Sequence, residues 1–312
     1  MNDELKFTVI SDTHYYSKKN FVDGFDKNKK PKPGQLFFSR SEEIVEHTFD
    51  CLCKNDTPDI VLISGDLTYN GERTSHDEMK AALKKLQQKG KRVYVITATH
   101  DYTSPRMPTY GIDKNDKYIE VESVKRTQLL KYYGDFGYNN AIAKHKSTMS
   151  YVAQLADGYR LFALNDDYGD PDCGFSDELM NWVKTEANNA KRDGQYIIAM
   201  THHPLVPPSP IYAAVAKGDM LSEYELRRKQ LSDLGFDFVL TGHTHMHNIS
   251  YCKIGNKKFY DISTAALTGF PPYYRQIVLN KEQKKAEIKT ICADCADSID
   301  TNGLALEEYT NC

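Results

Sequence analysis

Five short apolar runs, each followed by aspartate or histidine, constrain the fold of this chain most. The runs have strand length and are rich in β-branched or aromatic residues: 5–10, 60–63, 93–96, 196–200 and 236–240. Helical patterns alternate with them, which is typical of an α/β sheet with helices on its faces. Turn residues at Asp157-Gly158 and Gly255-Asn256 predict hairpins in addition. We therefore expect an α/β fold of α+β character with mixed sheets.

Three helix starts are indicated by capping residues. Ser39 with Glu42, and Ser75 with Glu78, each have the spacing of a capping box in front of a helical pattern. Ser176 precedes a third helical pattern. We expect a helix to begin after each of these three serines.

Two long segments interrupt this pattern. Residues 15–40 hold six lysines and two prolines, which predicts a long loop, and residues 102–147 hold one helical pattern at roughly 121–133. We expect one domain over residues 1–290 that carries both segments as insertions, since loops of this length in compact domains are usually functional or disordered. Residues 291–312 are predicted to be a tail or the start of a further region.

The residues that follow the five runs are metal-ligand types. In chain order they are Asp12 and His14; Asp66; Thr99, His100 and Asp101; His202 and His203; and His243 and His245. Ligands of open α/β sheets bind at the carboxyl ends of strands, and alternate residues of an extended segment point the same way. One such residue alone is more typical of a cap or a satisfied polar group, but five groups together favour a metal site. Imidazole and carboxylate ligands suit Mn, Fe or Zn and argue against a thiolate zinc site or an all-oxygen calcium site.

The cysteines do not indicate a second metal site. Seven are scattered along the chain, and the CxxC formed by Cys292 and Cys295 has no second pair to complete a zinc knuckle. Reduced thiols are the simpler interpretation.

Overall charge and hydropathy exclude several functions. A formal net charge of −3 gives no general platform for nucleic acid. No apolar run approaches the roughly 18 residues that a membrane span needs. The first residues lack the cationic and apolar regions of an export signal, so a cytoplasmic location is expected from the sequence as it stands.

Taken in order, the five groups resemble the motifs of a calcineurin-like metallophosphoesterase. The family pattern is D-x-H, G-D, G-N-H-[DE], H and G-H-x-H, and this chain has DTH, GD, ATHD, THHP and GHTH across residues 12–245. The resemblance implies a four-layer αββα sandwich with two metal ions at one edge of its paired sheets. It also implies hydrolysis of a small phosphorylated substrate by a hydroxide that bridges the two ions.

The resemblance assigns a role to each matching residue. It implies a first metal held by Asp12, His14 and His245, a second held by His202 and His243, and a bridging carboxylate from Asp66. His100 would lie near the leaving group, with Asp101 fixing its imidazole, and His203 would contact substrate or support the metal ligands.

One position departs from the family pattern. Residues 98–100 are Ala-Thr-His in place of Gly-Asn-His, so Thr99 stands where an asparagine normally completes the second metal site. A threonine hydroxyl on a shorter arm is a weaker ligand, which puts the affinity for the second ion in question. Two interpretations therefore stay open: an active enzyme, preferably a phosphodiesterase for cyclic nucleotides or related small compounds but alternatively a phosphomonoesterase, and a metal- and phosphate-binding scaffold with little turnover.

Weaker signals leave further alternatives. In the GHTHMH run, His247 follows His243 and His245 at the same two-residue spacing. It is therefore either a third ligand on the same side of the chain or a residue outside the ligand set. Arg275, after the turn at Pro271-Pro272, either contacts phosphate or forms an ion pair on a strand. Tyrosine-rich segments at 15–16, 102–118 and 132–138 either stack on a nucleobase or pack against the scaffold.

Overall fold

Two mixed β-sheets account for most of the architecture. A computed structural model describes residues 4–25, 36–54, 56–167 and 173–293. Its strands are β1 (Glu4–Ile10), β2 (Ile60–Ser64), β3 (Arg92–Ile96), β4 (Gly111–Ile112), β5 (Tyr118–Ile119), β6 (Ala143–His145), β7 (Ser150–Ala156), β8 (Tyr159–Ala163), β9 (Tyr196–Met200), β10 (Phe238–Thr241), β11 (Asn248–Ile254), β12 (Lys257–Ser263), β13 (Tyr273–Asn280) and β14 (Lys285–Cys292). Its α-helices are α1 (Ser41–Leu52), α2 (Arg73–Gln88), α3 (Leu129–Tyr133), α4 (Asp177–Arg192), α5 (Pro210–Val215) and α6 (Tyr224–Leu234).

Both large sheets combine parallel and antiparallel pairs. The first has five strands in the order β14-β13-β1-β2-β3, with β1, β2 and β3 parallel. The second has seven strands in the order β11-β12-β10-β9-β8-β7-β6, with β8, β9, β10 and β12 parallel. Strands β4 and β5 form a separate ribbon. The hairpins expected at Asp157-Gly158 and Gly255-Asn256 join β7 to β8 and β11 to β12.

The layers follow from the side-chain alternation of the central strands. On β1, Phe7 and Val9 face the second sheet and belong to the core between the sheets, whereas Ile10 faces the helices. Helices α1, α2 and α3 cover the outer face of the first sheet, and α4 and α6 cover the second. Strands buried on both faces read as continuous apolar runs, which is why the runs were so clear in the sequence. The expected four-layer αββα arrangement is confirmed.

Two helix starts differ from expectation, and in the second case tertiary contacts use the predicted capping side chain. Helix α1 begins at Ser41 with no side-chain cap, and α2 begins at Arg73, before the predicted Ser75. The Ser75 hydroxyl accepts hydrogen bonds from the Ser17 amide and the Asn20 side chain, both at 3.1 Å. By contrast, Ser176 caps α4 as predicted, accepting from the Leu179 amide at 3.1 Å.

Other boundaries are shifted too. The helix expected over 121–133 is shorter, a 3-10 turn at Arg126–Gln128 followed by α3. The run at 236–240 becomes a strand only from Phe238, because the Phe236 amide closes α6 on the Leu231 carbonyl. Strand β14 continues two residues past the expected domain end at 290, while residues 26–35 of the first insertion, Cys295 and most of the expected tail lie outside the described residues.

None of the helices described here combines the length and the hydropathy of a membrane span. The cytoplasmic location stays a prediction.

Asp261 is a buried carboxylate inside β12 that anchors the segment after β9. Its oxygens accept from the Leu205 amide at 2.7 Å, the Val206 amide at 3.0 Å and the Thr241 hydroxyl at 2.5 Å. Burial raises the pKa of Asp261 to about 6 in spite of these three hydrogen bonds. The fold therefore favours the protonated form of this carboxyl group.

We expect Asp261→Asn to change how stability depends on pH. A folded-state pKa above the unfolded value contributes stability that is complete below about pH 4 and is lost as the pH rises through 6. A neutral amide of the same shape keeps the amide contacts and lacks this titration. In urea unfolding of metal-free protein, the unfolding free energy of the native chain should therefore fall relative to Asp261→Asn by about 1–1.5 kcal/mol between pH 5 and 8.

Asp233→Asn, on the exposed face of α6, controls for removal of a surface carboxylate. If the unfolding free energy of the native chain minus that of Asp261→Asn stays constant between pH 5 and 8, the raised pKa of Asp261 is contradicted.

Candidate metal centre

The five predicted groups meet at one edge of the paired sheets. Strands β1, β2 and β3 end at the groups that contain Asp12, Asp66 and His100, and β9 and β10 end at those of His202 and His243. All five strands lie in the parallel parts of their sheets, so their carboxyl ends point to the same edge.

The backbone at this edge is in an unusual conformation. Five of these residues have positive φ: Asp12 (50°), His14 (37°), Asp66 (49°), His243 (64°) and His245 (57°). Left-handed backbone at residues other than glycine costs about 1–3 kcal/mol each and clusters at functional sites. The turn after each strand thus directs a polar side chain into the site at some cost in local strain.

Two glycines let the sheets approach closely at this edge. A Cβ on Gly65 would lie 2.7 Å from His202 Nδ1, and one on Gly242 would overlap Ser11 Oγ. Gly65 also has a φ of +100°, which strains any other residue. The glycines of the GD and GHTH motifs are therefore required by packing.

Ligand atoms form three overlapping clusters, each within 4.8 Å. The clusters are Asp12, His14 and His245; Asp66, His202 and His243; and His14, Asp66 and His100. His14 Nε2 lies 3.1 Å from His245 Nε2, and His202 Nε2 lies 3.0 Å from Asp66 Oδ2. Asp66 is thus shared by two of the three clusters.

These side chains suit transition-metal ions. Asp12, Asp66, His14 and His202 are at most 1% exposed, and together they offer only carboxylate and imidazole donors. His202 Nδ1 donates to the Ser64 carbonyl at 2.7 Å, which directs the other ring nitrogen, Nε2, into the site. Nε2 is buried and, among the described residues, makes no hydrogen bond of good geometry. The donor set fits Mn, Fe or Zn.

Carboxylates and imidazoles shift each other's pKa values here. Burial alone would raise the pKa of Asp66, but His202, His100 and His14 lower it well below its ordinary value. Burial would likewise lower the pKa of His202, yet Asp66 and Asp12 raise it well above its ordinary value. Binding a cation at His202 is therefore coupled to the loss of a proton.

His243 behaves in the opposite way. Burial, and then the neighbouring His203 and His202, lower the pKa of His243 well below its ordinary value. Its ring packs against that of His203 at a tilt of 40°, with centroids 4.0 Å apart. A neutral imidazole is the form that binds a metal.

His100 is held differently from the prediction. Its Nδ1 lies 2.6 Å from the Tyr69 carbonyl and 2.8 Å from Asn70 Oδ1. The prediction that Asp101 fixes this imidazole is wrong, because the Asp101 carboxylate accepts from the Thr68 amide at 2.9 Å and the Ala98 amide at 2.8 Å. Asp101 therefore shapes the turn that carries His100. The ring of His100 is oriented by the Tyr69 carbonyl and Asn70 Oδ1, which follow Asp66 in the chain.

Arg275 is directed away from the predicted phosphate contact. It lies on β13, is 3% exposed, and donates to the carbonyls of Ser263 at 2.7 Å and Asn248 at 3.1 Å. Those carbonyls belong to the second sheet, so the guanidinium joins the sheets. Burial lowers its pKa to about 10.

His203 and Thr99 lie beside the clusters. The His203 side chain is buried, with Nδ1 3.3 Å from Asp166 Oδ2. Thr99 begins the one-turn 3-10 helix Thr99–Asp101 and is half-buried. The next amide in that turn, from His100, donates to Asp66 Oδ1 at 3.0 Å, so the turn is bound directly to the shared carboxylate.

Asp166 is a supporting residue that the sequence reasoning missed. Its Oδ2 accepts from the His203 amide at 2.7 Å, the Thr201 hydroxyl at 2.8 Å and the His202 amide at 3.1 Å. Burial would raise its pKa, but His203 and these bonds lower it to about 2. The sequence does contain a pattern that indicates this residue. Asp166 follows β8, which is a sixth parallel strand, and acidic residues come after the carboxyl end of that strand as they do after β1 and β2.

Comparisons with known proteins agree with this geometry. The model of the calcineurin-like phosphoesterase family matches residues 5–247. A dimetal phosphatase from Danio rerio is similar with a TM-score of 0.59 and 13% identity, over 93% of this chain and 99% of that one. A purple acid phosphatase from yellow lupin (Lupinus luteus) seeds has a TM-score of 0.59 and 12% identity, over 93% of this chain and 52% of that one. At such identities the two structures show a shared fold, and curated protein sequences gave no significant match.

We expect Thr99→Asn to tighten one metal site. An asparagine carbonyl would add a ligand beside Asp66, and even the loss of outer-shell support typically costs about 10–100-fold in metal affinity. Calorimetric titration with Mn²⁺ should therefore show the weaker of two sites strengthened by about tenfold or more. Thr185→Asn, exposed on α4, is the matched control. Equally tight binding of two ions by both the native chain and Thr99→Asn would refute this interpretation.

Proposed function

We propose that this chain, which belongs to the calcineurin-like phosphoesterase family, hydrolyses phosphate esters with two metal ions and prefers phosphodiesters to monoesters. Asp66 carries the proposal: one buried carboxylate lies in a cluster with His202 and His243 and in another with His14 and His100. A carboxylate shared in this way can bind two neighbouring ions at once, which suits a two-ion centre.

The residues divide into two ligand sets around Asp66. We assign the first ion to Asp12, His14 and His245 and the second to His202 and His243, with Asp66 binding both. Thr99 is the weakest expected member of the second set. Mn, Fe and Zn are the candidates, since each accepts imidazole and carboxylate ligands.

Bound ions would acidify a water nucleophile and neutralise charge on the phosphoryl oxygens. His100 is the proposed proton donor to the leaving group. Its Nδ1 faces two acceptors, the Tyr69 carbonyl and Asn70 Oδ1, so this nitrogen carries a hydrogen and Nε2 is the one that exchanges a proton.

Three cations in the described part of the chain are already engaged by protein acceptors, which supports a diester substrate. A monoester dianion carries about one more negative charge than a diester and calls for additional cations. Arg275 is bound to backbone carbonyls, and two lysines of the first insertion pair with glutamates: Lys18 with Glu43 at 2.7 Å and Lys19 with Glu78 at 2.8 Å. Cyclic nucleotides and related small diesters fit this interpretation.

We further propose that residues 1–290 form one catalytic domain. The family match ends at residue 247, but β13 pairs with β1, the strand that precedes Asp12. Residues beyond the match are therefore part of the sheet that positions the ligands.

The direct test compares bis-p-nitrophenyl phosphate with p-nitrophenyl phosphate in the presence of Mn²⁺. We expect a higher kcat/KM for the diester. Asp66→Ala should lose at least one metal ion and nearly all hydrolysis, because no carboxylate then separates the two cations. Asp233→Ala, exposed on α6, controls for loss of a carboxylate.

Three outcomes would count against the proposal. Faster monoester hydrolysis would reject the diester preference. Two bound metals and near-normal rates in Asp66→Ala would reject the ligand assignment. Rates no better than free Mn²⁺ with both substrates would favour the scaffold interpretation, in which Thr99 disables the second site.

His100→Ala should keep its metals and lose turnover. We expect kcat to fall by about 10²–10⁴ for substrates with poor leaving groups, and by less for p-nitrophenolate, which needs little protonation. The readout is the slope of log kcat against leaving-group pKa, which should steepen in the variant, with bound metal measured alongside. His47→Ala on α1 is the control. An unchanged slope would remove His100 from the proton-donor role.

A further inference from the structure

A cavity of about 330 Å³ adjoins the proposed first metal site. Ten of the described residues line it, including His245 itself, and none of these ten is Lys, Arg, Asp or Glu. Its apolar and aromatic walls come from two loops and the start of β13: Met246, His247, Ala265, Phe270, Pro271 and Tyr273. A concavity beside a catalytic centre with apolar and aromatic walls and a few polar groups is the usual form of a substrate subsite.

His247 is a fixed wall of this cavity. Its Nδ1 accepts from the Ala265 amide at 3.3 Å, and its Nε2 therefore carries the hydrogen and donates to the Thr290 hydroxyl at 3.0 Å. Both nitrogens are thus engaged away from the metal clusters. Its ring lies 5.2 Å from that of Tyr273, so the two rings form a continuous aromatic surface.

Phe270 supplies an accessible ring on the same cavity. Its side chain is 46% exposed, although it lies edge-on to Phe37 with centroids 6.4 Å apart. An exposed aromatic ring beside a reactive centre can bury a further apolar group without rearrangement of the core.

We propose that this cavity, which we name the His247–Phe270 pocket, binds a neutral, flat, apolar group attached to the phosphate of the substrate. The inference rests on the proposed function and makes it more specific. Among the described residues no cation lines the pocket, so a second phosphate or a carboxylate would find no ion-pair partner there, whereas an aryl or similar ring would be desolvated favourably. The substrate class is therefore a phosphodiester in which one ester group bears a ring.

The kinetic test uses two diesters that differ only in the group meant for the pocket. Methyl and benzyl p-nitrophenyl phosphate share a leaving group, and their spectator alcohols are similarly acidic. We expect kcat/KM for the benzyl diester to exceed that for the methyl diester by about tenfold or more, mainly through KM. In Phe270→Ala this ratio should fall close to one.

Two further variants guard against indirect effects. Met246→Ala removes a different wall and should lower the same ratio if Phe270→Ala folds poorly. Tyr251→Ala removes a ring that is 52% exposed on β11 and does not line the pocket, and it should keep the native ratio.

A binding measurement separates this inference from the proposed function. Calorimetry on the Mn²⁺-loaded protein should show tighter binding of benzylphosphonate than of methylphosphonate, with the difference lost in Phe270→Ala. If that pattern appears without hydrolysis, the function fails and the pocket stands. If both diesters are hydrolysed equally well, or Phe270→Ala and Met246→Ala both keep the benzyl preference, the pocket assignment is overturned.

Discussion

At Gly65 the two sheets approach so closely that only a hydrogen atom fits between the backbone and the His202 ring. A side chain there would lie 2.7 Å from His202 Nδ1, the atom that donates to the Ser64 carbonyl of the opposite sheet. A second contact between the sheets runs from the His243 amide to Asp12 Oδ2 at 3.1 Å. These two contacts join the carboxyl end of β2 to that of β9 and the carboxyl end of β1 to that of β10, so the ligand geometry depends on them.

Without bound metal ions, this edge of the two sheets lowers the stability of the folded protein. Carboxylates and imidazoles are buried together, and several residues of the turns have positive φ. Attraction between the carboxylates and the imidazoles offsets part of this cost, since Asp66 and His202 shift each other's pKa values in opposite directions. Metal ions bound only by the folded chain would add stability by mass action, so metal binding and folding are expected to be linked.

Buried polar side chains outside the ligand clusters mainly position the segments that carry ligands. Asp166 binds the backbone of His202 and His203, Asp261 binds the segment that follows them, and Asp101 closes the turn of His100. Arg275 ties the two sheets together. Among the described residues, Arg275, Lys18 and Lys19 are thus engaged by protein acceptors, and a pocket lined by no Lys, Arg, Asp or Glu borders His245. The proposed substrate, a diester with a ring, follows from this combination.

Much of this arrangement was readable in the sequence. Strands buried on both faces appear as apolar runs, and the residues after them follow from chain order, so the mixed α/β class and the grouping of Asp12, Asp66, His202 and the GHTH histidines were predictable. Helix starts were less predictable, because Ser75 is used by the Ser17 segment instead of by a cap. Only the tertiary structure decided which oxygens hold His100, where Arg275 points and that a pocket borders His245. Such contacts join residues from distant parts of the chain, and no local pattern of propensity or periodicity records which of them meet in space.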